Sequence, residues 1–404
     1  MDKLTLEDLP EASVAGRRVL VRVDFNVPIE NGRVADDTRI RATLPTLQYL
    51  VKHQARTILV AHLGRPKGKW DTAFSLEPVA QHLRGMIDAP VQFVTDVVGA
   101  AAHNAVDTLP TGSILLLENV RFLAGEETND LKLSEALAAF ADVYVNDAFG
   151  TAHRAHASTC GVAEVVRGEG RPAVAGSLME KELKFLGGAL TAPERPFTAI
   201  LGGAKISGKI DVIEALLPRV DRLLIGGAMA NTFFRALGLA TGVSLVEGDR
   251  IDLARALLER AGAKLVLPVD CVVAGEAKPG VTTRTVERDA VPPETRILDI
   301  GPKSVAMFRN LIDSAKTVLW NGPMGYFEVE EFARGTQAVA QAVADVTSKG
   351  AITIAGGGDT AAALEDAGLA DRFTHVSTGG GASLEFLEGR VLPGVAILTD
   401  RRNG

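Results

Sequence analysis

Cysteine is almost absent from this sequence: 404 residues contain two, Cys160 and Cys271. They lie far apart and form no Cys-x-x-Cys pair. That disfavours a disulfide framework or a zinc site, fits a reducing compartment, and leaves two small core residues as the expectation. Positive charge is not in excess either: 43 Lys and Arg against 50 Asp and Glu leave a formal net charge of −7. A nucleic-acid binder carries a net basic face, so that class is disfavoured. No stretch approaches the roughly 20 consecutive apolar residues that span a bilayer, and the opening Met1-Asp2-Lys3-Leu4-Thr5-Leu6-Glu7-Asp8 has no apolar signal core. The expectation is a cytoplasmic protein with neither a membrane nor a nucleic acid as partner. Low-complexity tracts and short tandem repeats are also missing.

What is present is an ordinary globular balance, 47% apolar and 23% charged, in a chain long enough for two domains of roughly 200 residues each. Short β-branched runs alternate with polar or glycine-rich clusters and helical stretches. In the first half the runs are Val19–Val23, Ile58–Val60, Ile114–Leu117 and Val143–Val145. In the second half they are Thr198–Leu201, Leu223–Ile225, Leu265–Leu267, Val318–Trp320, Ile352–Ala355 and His375–Ser377. Nearly continuous apolar runs indicate strands covered on both faces, as in parallel sheets. Amphipathic stretches such as Arg39–His53 and Leu131–Ala141 lie between them. The pattern predicts an α/β protein of two lobes, each a doubly wound, Rossmann-like parallel sheet. A helical Met179–Leu186, followed by Gly187-Gly188, Pro193 and Pro196 as breakers, suits a hinge. The expected division is 1–175, a hinge helix and linker over 176–196, and a second lobe over 197–390.

In open α/β sheets ligands bind beyond the carboxyl ends of the strands. In the first half those positions hold Asp24-Phe25-Asn26, His62-Leu63-Gly64-Arg65, Arg121, and His153-Arg154-Ala155-His156, with Arg39 opening a helix. A parallel sheet would gather Arg39, Arg65, Arg121 and Arg154 with His62, His153 and His156 at one edge. One arginine there is usually a solvated side chain; four after successive strands indicate a pocket for a small ligand with several negative charges. Asp24 and Asn26 fit either as partners of a ligand hydroxyl or as groups that orient the arginines. The two later histidines fit a local role in orienting the arginine loop.

In the second half the same positions are glycine-rich: Gly202-Gly203-Ala204-Lys205 through Lys209, Gly226-Gly227-Ala228, Asn321-Gly322-Pro323-Met324-Gly325-Tyr326-Phe327-Glu328, Gly356-Gly357-Gly358-Asp359-Thr360 and Thr378-Gly379-Gly380-Gly381. Glycine lets backbone approach a ligand closely, and helix N-termini offer N–H groups to phosphate. One such turn could be only a tight turn; several, with lysines, indicate a nucleotide site. Residues 203–209 nearly satisfy a P-loop, but Ile210 stands where Ser or Thr must hold Mg²⁺. A different phosphate loop with two lysines is the better reading. Asp359 is the candidate Mg²⁺ carboxylate, the alternative being a helix cap.

Together the motifs Arg22-Val23-Asp24-Phe25-Asn26-Val27-Pro28, His62-Leu63-Gly64-Arg65-Pro66, Gly150–Ser158, Gly202-Gly203-Ala204-Lys205, Trp320–Gly325 and Gly356–Thr360 resemble the phosphoglycerate kinase family, collinearly and over essentially the whole chain. The resemblance implies reversible phosphoryl transfer between 1,3-bisphosphoglycerate and ADP, giving 3-phosphoglycerate and ATP with Mg²⁺, by hinge closure, in a monomer. It implies substrate contacts at Asp24, Phe25, Asn26, Arg39, His62, Leu63, Gly64, Arg65, Arg121 and Arg154. Nucleotide contacts would fall at Gly203, Lys205, Lys209, Gly227, Asn321, Pro323, Glu328, Gly356, Gly357, Gly358, Asp359 and Thr360, with Asp359 as metal ligand. Arg39, Lys205, Gly357 and Gly380 would act on the transferring group, and residues 391–404 would return to the first lobe. Gly208, Ala228 and Tyr326 depart from the family's usual residues, which bears on loop stiffness and the shape of the base pocket.

Three other readings are set against this one, among them a non-catalytic relative retained for interactions, which is disfavoured because every residue named as essential is present. A P-loop NTPase is disfavoured by Ile210 and the lack of a Walker-B partner. A two-lobe solute-binding protein would lack the lysine-bearing glycine loops.

Overall fold

The computed structural model describes residues 2–401. The chain divides into two compact units: one runs to Lys184 and resumes at Val391, and the other is Phe185–Arg390.

The first unit is built on strands β1 (Arg18–Arg22), β2 (Ile29–Glu30), β3 (Arg33–Val34), β4 (Arg56–Val60), β5 (Val91–Phe93), β6 (Ile114–Leu116), β7 (Val143–Asn146) and β8 (Ala173–Ala175). Six of these form one parallel sheet in the order β5-β6-β4-β1-β7-β8. Strands β2 and β3 are a separate antiparallel hairpin whose turn, Asn31-Gly32, takes positive φ at both residues, the conformation a two-residue hairpin favours. Strands β6, β7 and β8 are buried at every residue. That is why the sequence shows runs rather than alternation, and each buried Val or Leu contributes about 1.5–3 kcal/mol. Arg22 stands level with Val60 on one side and Asn146 on the other. The segments that follow β1, β4 and β7 therefore start at the same edge.

The C-terminal segment closes this unit. Lys3 Nζ donates to the carbonyls of Ala396 (3.0 Å) and Leu398 (2.9 Å), and Asn146 Nδ2 donates to Gly394 O (3.0 Å). Gly394 is packed so closely that a Cβ there would lie 3.0 Å from Ala152 Cα. Residues 402–404 of the segment expected to return here lie outside the described residues.

A helix, Ser177–Thr191, leads from the first unit into the second. It differs from the sequence reading: Gly187 and Gly188 lie inside it rather than ending it. Two interior glycines cost roughly 1 kcal/mol each in propensity, offset by burial of Leu186 and Ala189 on either side.

The second unit contains β9 (Phe197–Leu201), β10 (Arg222–Ile225), β11 (Leu265–Val266), β12 (Asp270–Ala274), β13 (Arg284–Glu287), β14 (Arg296–Ile300), β15 (Thr317–Asn321), β16 (Ile352–Gly356) and β17 (His375–Val376). Its parallel sheet has the order β11-β10-β9-β15-β16-β17, with Leu201 level with Ile225 and Asn321, and Asn321 level with Gly356. Strands β13-β12-β14 form a further antiparallel sheet that the sequence reading did not anticipate. Trp320, Phe308 and Val343 are among the residues of this unit's core. Among the described residues no helix is long and apolar enough to cross a membrane.

Candidate active site

In the first unit the clusters after β1, β4, β6 and β7 interlock through hydrogen bonds. Asp24 Oδ1 accepts from Arg39 Nη1 (3.3 Å), which also donates to Asn26 O (3.1 Å). Asn26 Oδ1 accepts from Gly64 N (2.8 Å). Asp24 and Asn26 thus orient the arginine and the loop after β4. Arg121 is buried yet basic, its Nη1 donating to Gly64 O (2.8 Å) and its Nε lying 3.5 Å from Glu127. Burial lowers its pKa, Glu127 opposes that, and the nearby Arg22 and Arg154 reinforce it. Arg154 donates from Nε to His153 Nε2 (3.2 Å).

Crowding by positive charge has a consequence for the histidines. Burial, then Arg22, Arg121, Arg39 and His156, hold the pKa of His62 well below the ordinary value. Burial, then Arg121, Arg22, Arg154 and His153, bring His156 down to about 4. Both rings are neutral at pH 7, so neither adds to the positive charge that the arginines supply. This mutual influence gathers Arg39, Arg121, Arg154, His62, His153 and His156 into one field with Arg22, a residue not singled out in the sequence. Arg65 is solvent-exposed two residues beyond the buried Leu63. Phe25 is fully buried and Leu63 nearly so, and both side chains belong to the hydrophobic core of this unit.

In the second unit the ends of β9, β10 and β15 meet so closely that side chains are excluded. Gly202 N donates to Asn321 O and Gly203 N to Pro323 O, both at 3.0 Å, and Gly227 N donates to Met324 O at 2.9 Å. A Cβ on Gly202 would fall 2.0 Å from Pro323 O; Gly227, at φ +67°, would place one 2.5 Å from Gly203 N. Beside this junction opens a cavity of about 600 Å³ whose walls include Gly203, Gly227, Pro323, Tyr326, Glu328 and Asp359. Its apolar side comes from β14 and the segments before it, through Ile297, Leu298, Pro268 and Cys271. The sequence reading missed those residues because it missed the antiparallel sheet.

Lys205 is exposed and Lys209 half-buried on the turn after β9. Fully buried Ile206 pins that turn, and Glu247 accepts from Ser207 N (3.1 Å). Burial lowers the pKa of Lys209 to about 8, with Asp359 pulling the other way. Asn321 and Thr360 face inward: Asn321 Nδ2 donates to Gly356 O (2.8 Å), and Thr360 Oγ1 accepts from Gly322 N (2.7 Å). They brace the turns rather than project from them. Gly357 takes φ +95° before the helix Gly358–Asp366, and Gly380 takes φ +52° before Gly381–Leu387.

Asp299 also lines the cavity, its carboxylate accepting from Gly335 N (2.7 Å) and Ile300 N (2.8 Å), with burial raising its pKa to about 7. Among the described residues no group of three His, Cys, Asp or Glu is arranged to hold a metal. Asp359 offers one exposed carboxylate on the cavity wall. That fits Mg²⁺, which takes one or two protein carboxylates together with substrate phosphates.

A family model described as phosphoglycerate kinase matches residues 8–390. A phosphoglycerate kinase from Pelotomaculum thermopropionicum is 55% identical to this chain and one from Synechococcus elongatus 54%, in each case over 99% of this chain and 100% of the relative. The structure of phosphoglycerate kinase from Coxiella burnetii superposes with a TM-score of 0.86 at 42% identity, covering 98% of both chains.

Proposed function

The chain belongs to the phosphoglycerate kinase family, and from that premise we propose how its own residues share the reaction between the two units. The enzyme transfers a phosphoryl group reversibly between 1,3-bisphosphoglycerate and ADP, giving 3-phosphoglycerate and ATP. The lobe expected over residues 1–175 with 391–404, which falls within the first unit, takes the phosphoglycerate; residues 197–390, within the second unit, take the nucleotide; residues 176–196 serve as the hinge. The observation that carries this division is the contrast between the ends of the two sheets. One presents arginines around neutral histidines, the other a glycine-walled cavity with an apolar side.

On the phosphoglycerate side Arg39, Arg65, Arg121 and Arg154 meet phosphate and carboxylate oxygens in pairs. His62, Asn26 and Asp24 hold the remaining polar groups, and Phe25, Leu63 and Gly64 contribute backbone. On the nucleotide side the base lies against Leu298 and Tyr326, and Glu328 holds the ribose. Gly203, Gly227, Pro323, Gly356 and Gly358 give backbone approach, with Asn321 and Thr360 fixing the turns beneath. Lys205 and Lys209 meet the phosphates.

The acceptor in the ATP-consuming direction is a carboxylate, ionised at neutral pH, so the step needs no general base. Catalysis then rests on positioning and on neutralising the charge of the transferring group. Arg39, with only Nη1 engaged among the described residues, and the exposed Lys205 serve this purpose, with the N–H groups at Gly357 and Gly380. Mg²⁺ held by Asp359 would neutralise the nucleotide phosphates. Closure about the hinge excludes water, which would otherwise hydrolyse the acyl phosphate. The proposed enzyme acts as a monomer, and the substrates are those of a cytoplasmic enzyme of glycolysis.

The test is an assay with 3-phosphoglycerate, ATP and Mg²⁺ that follows 1,3-bisphosphoglycerate through NADH consumption by glyceraldehyde-3-phosphate dehydrogenase. Turnover requiring all three is expected. In the Arg39→Ala enzyme kcat falls by about 10²–10³, the scale of losing one donor aimed at developing charge; an unchanged kcat refutes the role given to Arg39.

A further inference from the structure

Arg22 is the last residue of β1, fully buried, and its guanidinium is consumed by protein partners. Nε donates to Ser158 Oγ at 2.7 Å, Nη1 to the carbonyl of Val23, and Nη2 stands 3.1 Å from His62 Nδ1. An arginine has donors only. The proton positions along this chain of contacts are therefore determined. Ser158 Oγ accepts from Arg22 and directs its own proton to Glu126 Oε1 at 2.6 Å, while Glu126 Oε2 accepts from Ser158 N at 2.9 Å. At the other end the imidazole nitrogen facing Arg22 must present a lone pair.

We propose that Arg22 is a positioning residue that fixes the tautomer of His62, leaving the ring's one N–H on Nε2, so that His62 meets the anionic substrate as a neutral hydrogen-bond donor. A neutral imidazole carries one proton. With Nδ1 turned to Arg22, the other ring nitrogen is the polar atom left for a ligand, and a donor is what a phosphate or carboxylate oxygen needs. The opposite tautomer would aim a lone pair at the anion and an N–H at a guanidinium. The surroundings act in the same direction: burial first, then the charges of Arg22, Arg121 and Arg39, disfavour the imidazolium. Further hydrogen bonds hold the network in place: Tyr144 Oη donates to Ser158 O (2.9 Å) and Ala157 N to Glu126 O (2.9 Å). The arrangement thus converts a buried Arg–Ser–Glu chain into a fixed donor at the substrate.

The inference rests on the reading of His62 as a phosphoglycerate contact, and the experiment separates the two. Long-range ¹H–¹⁵N NMR of the full ¹⁵N-labelled protein at pH 7 reports which ring nitrogen of His62 is protonated, the resonance being assigned by its loss in His62→Gln. The expected result for the unliganded wild type is a single neutral ring with Nε2 protonated. An Nδ1–H ring, a mixture, or an imidazolium overturns the proposal without any variant having to fold. In Arg22→Met the fixed tautomer gives way to a mixture, and KM for 3-phosphoglycerate rises about tenfold, the scale of one charge-assisted hydrogen bond, while KM for ATP stays unchanged. An Arg22→Met protein that keeps the pure Nε2–H ring overturns the role of Arg22. A fixed Nε2–H ring whose signals do not move on addition of 3-phosphoglycerate overturns the ligand reading of His62, and with it the purpose assigned to the network.

Discussion

Lys209 gives the nucleotide unit a proton-linked affinity that can be worked out in advance. Its ammonium is half-buried on the turn after β9, and burial brings its pKa to about 8 against the opposing pull of Asp359. At that value roughly nine-tenths of the lysine is charged at pH 7 and about one-tenth at pH 9. The nucleotide phosphates select the charged form, so the affinity for Mg-ATP should fall by about tenfold across that interval, and by less to the extent that solvent screens the half-exposed group. Calorimetric titration in two buffers of different ionisation enthalpy measures both the Kd and the protons taken up on binding. Uptake should peak near pH 8 to 9 and disappear, with the pH slope, in Lys209→Met. The same shift affects folding with a determined sign. The folded pKa lies below the unfolded value of 10.5, so the unfolded chain binds more protons between about 8 and 10.5. Stability contributed by this group is complete above that window and is lost as pH falls through it. A wild-type Kd that is flat from pH 7 to 9, or a Lys209→Met protein with the wild-type slope, refutes the argument.

Three further outcomes follow from single contacts. Gly202→Ala places a Cβ 2.0 Å from Pro323 O and 2.6 Å from Gly322 O, both backbone atoms that cannot rotate away. It should cost about 1–3 kcal/mol by overpacking and weaken ATP binding while 3-phosphoglycerate binding persists; calorimetry with each ligand checks this. Asp147, at the start of the helix Ser177–Thr191, accepts from Leu178 N (2.9 Å) and Met179 N (3.2 Å), and burial raises its pKa to about 6. The stabilisation tied to its protonated form is present below about 3.8 and lost as pH rises through 6. Asp147→Asn should therefore melt above the wild type at pH 7 to 8, with the gain vanishing near pH 3.8 in thermal scans. Asp359→Asn should raise the Mg²⁺ concentration needed for half-maximal turnover several-fold and leave 3-phosphoglycerate binding intact, measured by kinetics at graded Mg²⁺ and by titration.

Legibility in the sequence followed local physics. Runs such as Val143–Val145 and Ile352–Ala355 could be read as strands because burial on both faces removes polar residues, and the structure agrees within a residue or two. Strands β5 and β8 escaped because three residues, each preceded by a proline, carry too little periodicity. Strand β13 is exposed at three of four positions, so no apolar signal marks it. With that sheet went the apolar wall of the cavity, since Ile297 and Leu298 sit on β14, far along the chain from the glycine turns they face. Gly187 and Gly188 were misread as breakers because propensity is local, whereas the helix through them is held by buried neighbours. Arg22 marks the limit most sharply. In sequence it is an arginine inside the apolar run Val19–Val23, quoted as part of a motif and given no role of its own. Its partners are 40 residues away at His62 and 136 away at Ser158, on the segments that follow β4 and β7, the two strands that flank β1. A pattern can say that arginines converge on a sheet edge. Which of them touches the ligand and which one sets the hydrogen bonds of a neighbour depends on the third dimension, because that choice is made by whether the guanidinium's donors are already engaged.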